Sequence, residues 1–264
     1  MKLSSLELDR RILVMGSGGT GKTTLVGTLC QLIPTLVVTG DVNGLETLKA
    51  MGVDPEIILV KDWRRIWDYY KEIVEGTTQF KAIALDDMGA VQETARHKIE
   101  RMPRGWQEEK LAPREFIPQV QRELLLGERR LQLQQWGEMW IAIETFIYEL
   151  LNLPYQVKLV TTLEGVHEHP RDGKDHVYPA LTGQVRETLS ARFSLVAETF
   201  IYEAGNKLHY CLTSRSHPRM ETKDRYVTGG RTWVDPSMAK VLAHIAGKGE
   251  EENEVEKRIG LGLR

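Results

Sequence analysis

The sequence predicts an α/β fold: a mostly parallel central sheet flanked by helices, with antiparallel strands toward the C-terminus. Three observations predict it. Short apolar runs alternate with segments of helical periodicity from Arg11 to Leu151, as in a parallel sheet covered on both faces. The first apolar run leads into a glycine-rich loop and then a helix-forming segment. Beyond Thr162, strand-like runs follow one another with turn signals between them instead of helices.

The elements follow in order. Ile12–Met15 is a buried strand, and the helix after the glycine-rich loop runs to about Leu32. Thr35–Thr39 is a second strand, closed by the acidic turn Gly40-Asp41-Val42-Asn43-Gly44. Leu45–Met51 is a short helix and Ile57–Val60 a further strand. Asp62 caps a helix through Glu75, with Ile66, Tyr69, Tyr70 and Ile73 at helical spacing. Ala82–Leu85 is a buried strand ending in Asp86-Asp87. Residues 91–135, rich in Arg, Glu and Gln and broken by Pro103, Pro113 and Pro118, are expected to be a helical insertion. Trp136–Leu151 is a strong helix that Pro154 ends, and Val157–Thr162 is the next core strand. Gly165–His169 and His176–Tyr178 flank Arg171-Asp172-Gly173-Lys174 as a hairpin. Phe193–Glu198, Phe200–Glu203 and Leu208–Thr213 are later strands, and Met238–Ala246 is a closing helix. One core thus spans 1–246, interrupted by 91–135. Residues 247–264, with Glu250-Glu251-Glu252, are expected to form an acidic, mobile tail.

Composition narrows the function classes. The chain has 264 residues, with 35 Lys and Arg against 37 Asp and Glu, a net charge of −2. No global basic field is available for nucleic acid, so any such site must be local. Cys30 and Cys211 stand far apart in apolar contexts and read as reduced core residues. No apolar run reaches the roughly 18 residues of a membrane span, and no signal region is present. The expectation is a cytoplasmic protein without a membrane partner.

The glycine-rich loop carries the chemistry. Gly16, Ser17, Gly18, Gly19, Thr20, Gly21, Lys22 and Thr23 match G-x-x-x-x-G-K-[ST], the phosphate-binding P-loop, in the strand–loop–helix context it requires. Glycines let successive N–H groups face the phosphates, and the helix N-terminus adds its positive dipole end. Lys22 is expected to reach the β- and γ-phosphates, Thr23 to hold Mg²⁺, and Thr24 to extend the cradle. A carboxylate at the end of a buried strand completes the metal site. Asp86 is the first choice for this Walker B role and Asp87 the second. Asp87 and Asp41 are candidates to orient the attacking water, Asp41 reading equally as a turn residue. Thr162 is the candidate γ-phosphate sensor, with Thr161 the alternative because neighbouring strand residues face opposite ways. Asp86-Asp87-Met88-Gly89 also fits the D-x-x-G of GTPases. However, the nearest guanine-reading match, Asn206-Lys207-Leu208-His209, lacks its carboxylate, which favours ATP.

With these motifs in order, the chain resembles phage-type AAA ATPases with a RecA-like core, including minimal phage recombinases. The resemblance covers most of residues 10–240. Beyond the P-loop it rests on Leu36–Gly44, Leu85-Asp86-Asp87, Trp136-Gly137 to Leu153-Pro154, Val160–Glu164, Tyr178–Gly183 and Thr222–Arg225. Two departures stand out: Asp87 where such proteins often carry Ser, and Asp41 where Glu is frequent. The resemblance implies a RecA-like fold and a homo-oligomer, ring or filament, in which Lys223 and Arg225 complete a neighbour's site. Added cations of that kind supply about 10³–10⁵ in rate in P-loop systems.

It also implies single-stranded DNA binding through 91–135, with Arg96, Lys98, Arg101, Arg104 and Trp106, and through 165–178, with His167, His169, Arg171, Lys174 and His176. The glutamates of 91–135 nearly balance its cations, and on the sequence alone this favours a solvated helical hairpin used for subunit contacts. A more basic stretch is 205–231, with Lys207, Arg215, Arg219, Lys223, Arg225 and Arg231 against Glu221 and Asp224. Three histidines without a nearby Cys make a poor zinc site. The expected function is a Mg²⁺-dependent ATPase acting on single-stranded DNA in phage recombination, annealing or replication. The alternatives are a helicase-loader-like remodelling ATPase and an assembly protein with negligible turnover.

Overall fold

The computed structural model describes residues 9–76, 78–100, 133–168, 173–181, 188–204, 206–217 and 219–260. In chain order the elements are β1 (Arg10–Gly16), α1 (Lys22–Leu32), β2 (Thr35–Thr39), α2 (Gly44–Ala50) and β3 (Glu56–Leu59). A 3₁₀ turn at Trp63–Arg65, capped by Asp62 accepting from the Arg64 amide, opens α3 (Ile66–Gly76). Then follow β4 (Ala82–Leu85), α4 (Met88–Glu100), α5 (Leu133–Asn152), β5 (Val157–Thr162), β6 (Glu164–Glu168) and β7 (Asp175–Pro179). The chain closes with β8 (Leu195–Ala204), β9 (Lys207–Thr213), β10 (Lys223–Asp224), β11 (Thr232–Val234), α6 (Met238–Ile245) and α7 (Glu254–Gly260).

The main sheet runs β11-β9-β8-β1-β5-β4-β2-β3, with β10 beside the start of β8. The six strands from β8 to β3 are parallel, while β9, β10 and β11 pair antiparallel. This is the mostly parallel α/β architecture expected, with antiparallel strands toward the C-terminus. Alternation along each strand builds two cores. Leu13, Val38, Leu85 and Val160 face α3, α4 and α5, where Ile73, Val91 and Phe146 meet them. Ile12, Val14, Ala84 and Leu159 face α1 and α6, against Leu25, Leu29 and Val241. Each fully buried aliphatic side chain contributes roughly 1.5–3 kcal/mol, so the central strands are the stable frame of the site.

The topology fixes the site. β5 lies between β1, which carries the P-loop, and β4, which carries Asp86. All three parallel strands end on the same side, so the loops after them converge.

Four expectations need correction. The strands expected at Phe193–Glu198 and Phe200–Glu203 are one element, β8, because its first half pairs with β1 and the second with β9. The insertion does not begin at 91: Val91 and Ala95 are fully buried in α4, which belongs to the core. Residues 101–132 lie outside the described ones. β10 and β11, too short for periodicity to reveal, were not anticipated. The acidic segment is anchored where a mobile tail was expected: α7 buries Ile259 and Glu256. The Glu252 and Glu256 carboxylates accept the Thr232 and Val234 amides of β11 at 2.7 and 3.2 Å.

Candidate nucleotide-binding site

The P-loop is built against β8. Gly16, paired with Thr199, has no room for a side chain: a Cβ there would stand 2.2 Å from Thr199 Oγ1. Thr199 in turn braces the loop, its hydroxyl on Thr20 Oγ1 at 2.7 Å while Thr20 donates to the Ser17 carbonyl at 2.8 Å. Gly21, the residue before α1, adopts φ +97°, which a side chain would resist. Lys22 opens α1 and donates to the Gly16 and Ser17 carbonyls, both at 2.7 Å. Burial lowers its pKa, against the opposing pull of Asp87, Asp86 and Glu164. Sequence reasoning gave Thr199 and Glu164 no role. Ser17 Oγ donates to Glu164 at 2.5 Å, a meeting of the loop with the first residue of β6 that only the fold reveals.

The carboxylates gather opposite. Asp86 ends β4, is 6 % exposed, and accepts the Thr161 hydroxyl at 2.5 Å and the Thr23 side chain as well. Burial pushes its pKa up, and the neighbouring Asp87 adds to this. Asp87, joined to it by a cis peptide bond, caps α4 by accepting the Ala90 amide at 2.7 Å. Burial raises the Asp87 pKa too, against its backbone bond to Ala90 and the charge of Lys22. Asp41 forms an Asx turn, Oδ1 accepting the Asn43 amide at 2.9 Å. The turn role is thus seen directly, and Oδ2 lies on the side of Gly44.

These oxygens converge on one point. A Cβ built on Gly44 would lie 3.7 Å from Asp86 Oδ2, 3.7 Å from Thr23 Oγ1 and 3.8 Å from Asp41 Oδ2. A hydroxyl and carboxylate oxygens around a space left by a glycine are hard ligands suited to Mg²⁺, which takes one or two carboxylates and completes its shell with phosphate and water. Among the described residues no group of three or more His, Cys, Asp or Glu is placed to hold a metal ion, and His169 lies outside them.

The pleat separates the sensor candidates. Thr161, the alternative, touches Asp86; Thr162 is fully buried, its hydroxyl without a hydrogen-bond partner. Lys223 and Arg225 are not brought to the P-loop of their own chain. Lys223 pairs with Val196, whereas Gly16 pairs with Thr199, farther along the same strand. The Lys223 ammonium donates to the Ser190 carbonyl at 2.7 Å, and burial, then Arg225, lowers its pKa. Arg225 is exposed. Asp224 anchors the pair of cations from between, accepting Ser214 Oγ at 3.0 Å and the Tyr226 amide at 2.8 Å and meeting His244 Nε2 at 2.8 Å.

The proposed DNA segments fare unevenly. Arg101, Arg104, Trp106, His169 and Arg171 lie outside the described residues. Arg96 pairs with Glu93, and His167 sits opposite His176 in the separate two-stranded sheet β6–β7. In the basic stretch, Arg215 is tied to Glu252 at 2.5 Å and Arg231 to Glu256 at 3.6 Å.

Two cavities hold these residues, one at the loop and one at the carboxylates. One of about 490 Å³ is lined by Gly19–Thr24, Thr47, Tyr210, Asp235 and Pro236. The other, about 480 Å³, lies between β2, α4 and the β6–β7 base and holds both Asp41 and Asp87.

A family model described as an AAA domain matches residues 8–226. No curated protein matches. Matching solved structures include flagellar accessory protein FlaH from Methanocaldococcus jannaschii, 11 % identical over 85 % of this chain and 86 % of that one, with a TM-score of 0.41. A KaiC-like protein from Pyrococcus horikoshii OT3 is 16 % identical over 85 % of this chain and 89 % of that one, with a TM-score of 0.39.

Proposed function

The chain belongs to the AAA domain family, and from that premise we propose that it is a Mg²⁺-dependent ATPase working as an oligomer on single-stranded DNA. The observation that carries the catalytic part is the convergence of Thr23 Oγ1, Asp86 Oδ2 and Asp41 Oδ2 around Gly44, beside Lys22 and the P-loop. Backbone N–H groups of residues 16–24 bind the phosphates, and Lys22 turns from its loop carbonyls to the β- and γ-phosphates. Thr23 and Asp86 hold Mg²⁺, and Thr161 fixes the Asp86 carboxylate. When bound, Mg²⁺ neutralises the charge that develops on the transferring phosphoryl group. Asp41 and Asp87 orient the attacking water from the cavity they share. Lys223 and Arg225 act on a neighbouring copy's γ-phosphate, since they lie away from their own loop. The DNA part rests on the resemblance to phage recombinases and on the β6–β7 hairpin that leaves the sheet next to the site.

The test is the steady-state ATPase rate with and without single-stranded DNA, beside Asp86→Ala. A DNA-stimulated rate that Asp86→Ala abolishes is expected. One observation favours a second reading, remodelling of a protein partner: Arg215 and Arg231 are engaged by Glu252 and Glu256, which withdraws two of the six cations of this stretch from phosphates. A basal rate indifferent to DNA supports that reading, and ATP binding without turnover overturns both.

A further inference from the structure

The P-loop cavity extends past the phosphate cradle. Its far wall is made of residues that no phosphate contact requires. Tyr210 stands on β9 with 47 % of its surface exposed, and its Cδ1 lies 3.6 Å from where a Gly21 Cβ would be. An exposed aromatic ring in van der Waals range of the phosphate loop is a platform placed where the rest of a nucleotide emerges. Asp235, beside it, has φ +47°, the only non-glycine residue with positive φ among those described. The conformation is held from both sides. Its amide donates to the Tyr210 carbonyl at 2.7 Å, and its own carbonyl accepts from Lys240 at 3.2 Å. Backbone strain of this kind persists where surroundings over-determine it, and it clusters at ligand sites. A carboxylate at the mouth of a triphosphate site is also repelled by its ligand, so it weakens binding unless it accepts hydrogen bonds from that ligand. The cavity, about 490 Å³, is in the range of small-molecule sites.

We propose that Tyr210, Asp235 and Pro236 form the nucleoside end of this site. The Tyr210 ring stacks on the base, and the Asp235 carboxylate accepts from a donor on the nucleoside, a ribose hydroxyl or an exocyclic amine. The assignment rests on the nucleotide reading above and deepens it. Stacking tolerates any base, because every base has a π-face; the carboxylate supplies the selectivity, because it accepts only from O–H or N–H. The hydrogen bond from Asp235 to Tyr210 keeps ring and carboxylate on one rung, so the two are placed together.

The experiment measures equilibrium binding of ATP and of inorganic tripolyphosphate, both with Mg²⁺, to the full chain. The variants are Tyr210→Phe, Tyr210→Ala, Asp235→Gly and Lys22→Ala. Glycine keeps the positive φ while removing the carboxylate, so folding is preserved. Tyr210→Ala is expected to weaken ATP about tenfold and to leave tripolyphosphate unchanged, with Tyr210→Phe near wild type. Asp235→Gly is expected to erase a preference that the wild type shows. Erased discrimination against 2′-deoxy-ATP identifies the ribose as donor, and erased discrimination against purine riboside triphosphate identifies the amine. ATP affinity unchanged in both Tyr210→Ala and Asp235→Gly overturns the assignment while leaving the nucleotide reading intact. Wild-type protein that binds neither ligand, or a Lys22→Ala variant that binds both normally, overturns the nucleotide reading and this assignment with it.

Discussion

Asp86 sits where its charge is least welcome, in a buried position beside a second carboxylate. Its folded pKa is raised above the ordinary 3.8, so between those two values the folded chain holds more protons than the unfolded one. Stability therefore falls as pH rises through that window. Asp86→Asn, which removes the charge and keeps an acceptor for Thr161, is expected to melt higher than wild type without nucleotide at neutral pH. The margin should shrink as pH falls through that window, because the wild-type carboxyl then takes up a proton as well. The same variant should lose the rise in melting temperature that Mg²⁺-ATP gives wild type. Melting curves across that pH range, with and without Mg²⁺-ATP, check both. Asp87→Ala separates the other role: losing the α4 cap is expected to cost about 1 kcal/mol in urea denaturation. At this scale the sequence was legible where the chemistry is contiguous. Residues 16–24 and Asp86 were readable because a loop and a strand end announce themselves. That Thr161 and not Thr162 touches Asp86 needed the pleat, and the placing of Tyr210, Asp235 and Glu164 beside the loop needed the fold, since the chain reaches it from distant segments.

At the scale of elements, β11 is an edge strand whose outward amides are taken by side chains. Glu252 and Glu256 stand in for the carbonyls of an absent neighbour, and Ile259 pins α7 in place. A charged run with one buried apolar residue carries no periodic signal, which is why 247–264 read as a solvated tail. Removing residues 248–264 is expected to lower stability by about 3–6 kcal/mol, because the two amide–carboxylate hydrogen bonds to β11 are worth about 1.5–3 kcal/mol each. It should also promote concentration-dependent association through the bared edge. Urea melts and light scattering of the truncated chain test these separately. The core strands and α1 were legible from alternation and capping. α4 was not, because its polar face resembles the segment after it, while Val91 and Ala95 are too few to mark a helix as core.

For the whole molecule, the separation of Lys223 and Arg225 from their own P-loop predicts a mixing result. Lys22→Ala and Arg225→Ala, each inactive alone, are expected to recover about a quarter of wild-type ATPase when combined equally, from interfaces pairing one intact loop with one intact cation. No recovery on mixing, with both variants folded, removes the role in trans. Overall architecture was the most legible property, since alternating apolar runs dictate a parallel sheet wherever they are joined by helices. The strand order was not, because nothing local says that β5 inserts between β1 and β4. The carboxylates along β11 have a last consequence, for growth. One end of the sheet is sealed, and β3, short and partly exposed, is the other end. Two copies joining there meet through identical edges related by a two-fold axis, and such a pair closes on itself. Among the described residues the main sheet thus offers no self-propagating strand template, and a ring or filament is not built by extending that sheet from copy to copy.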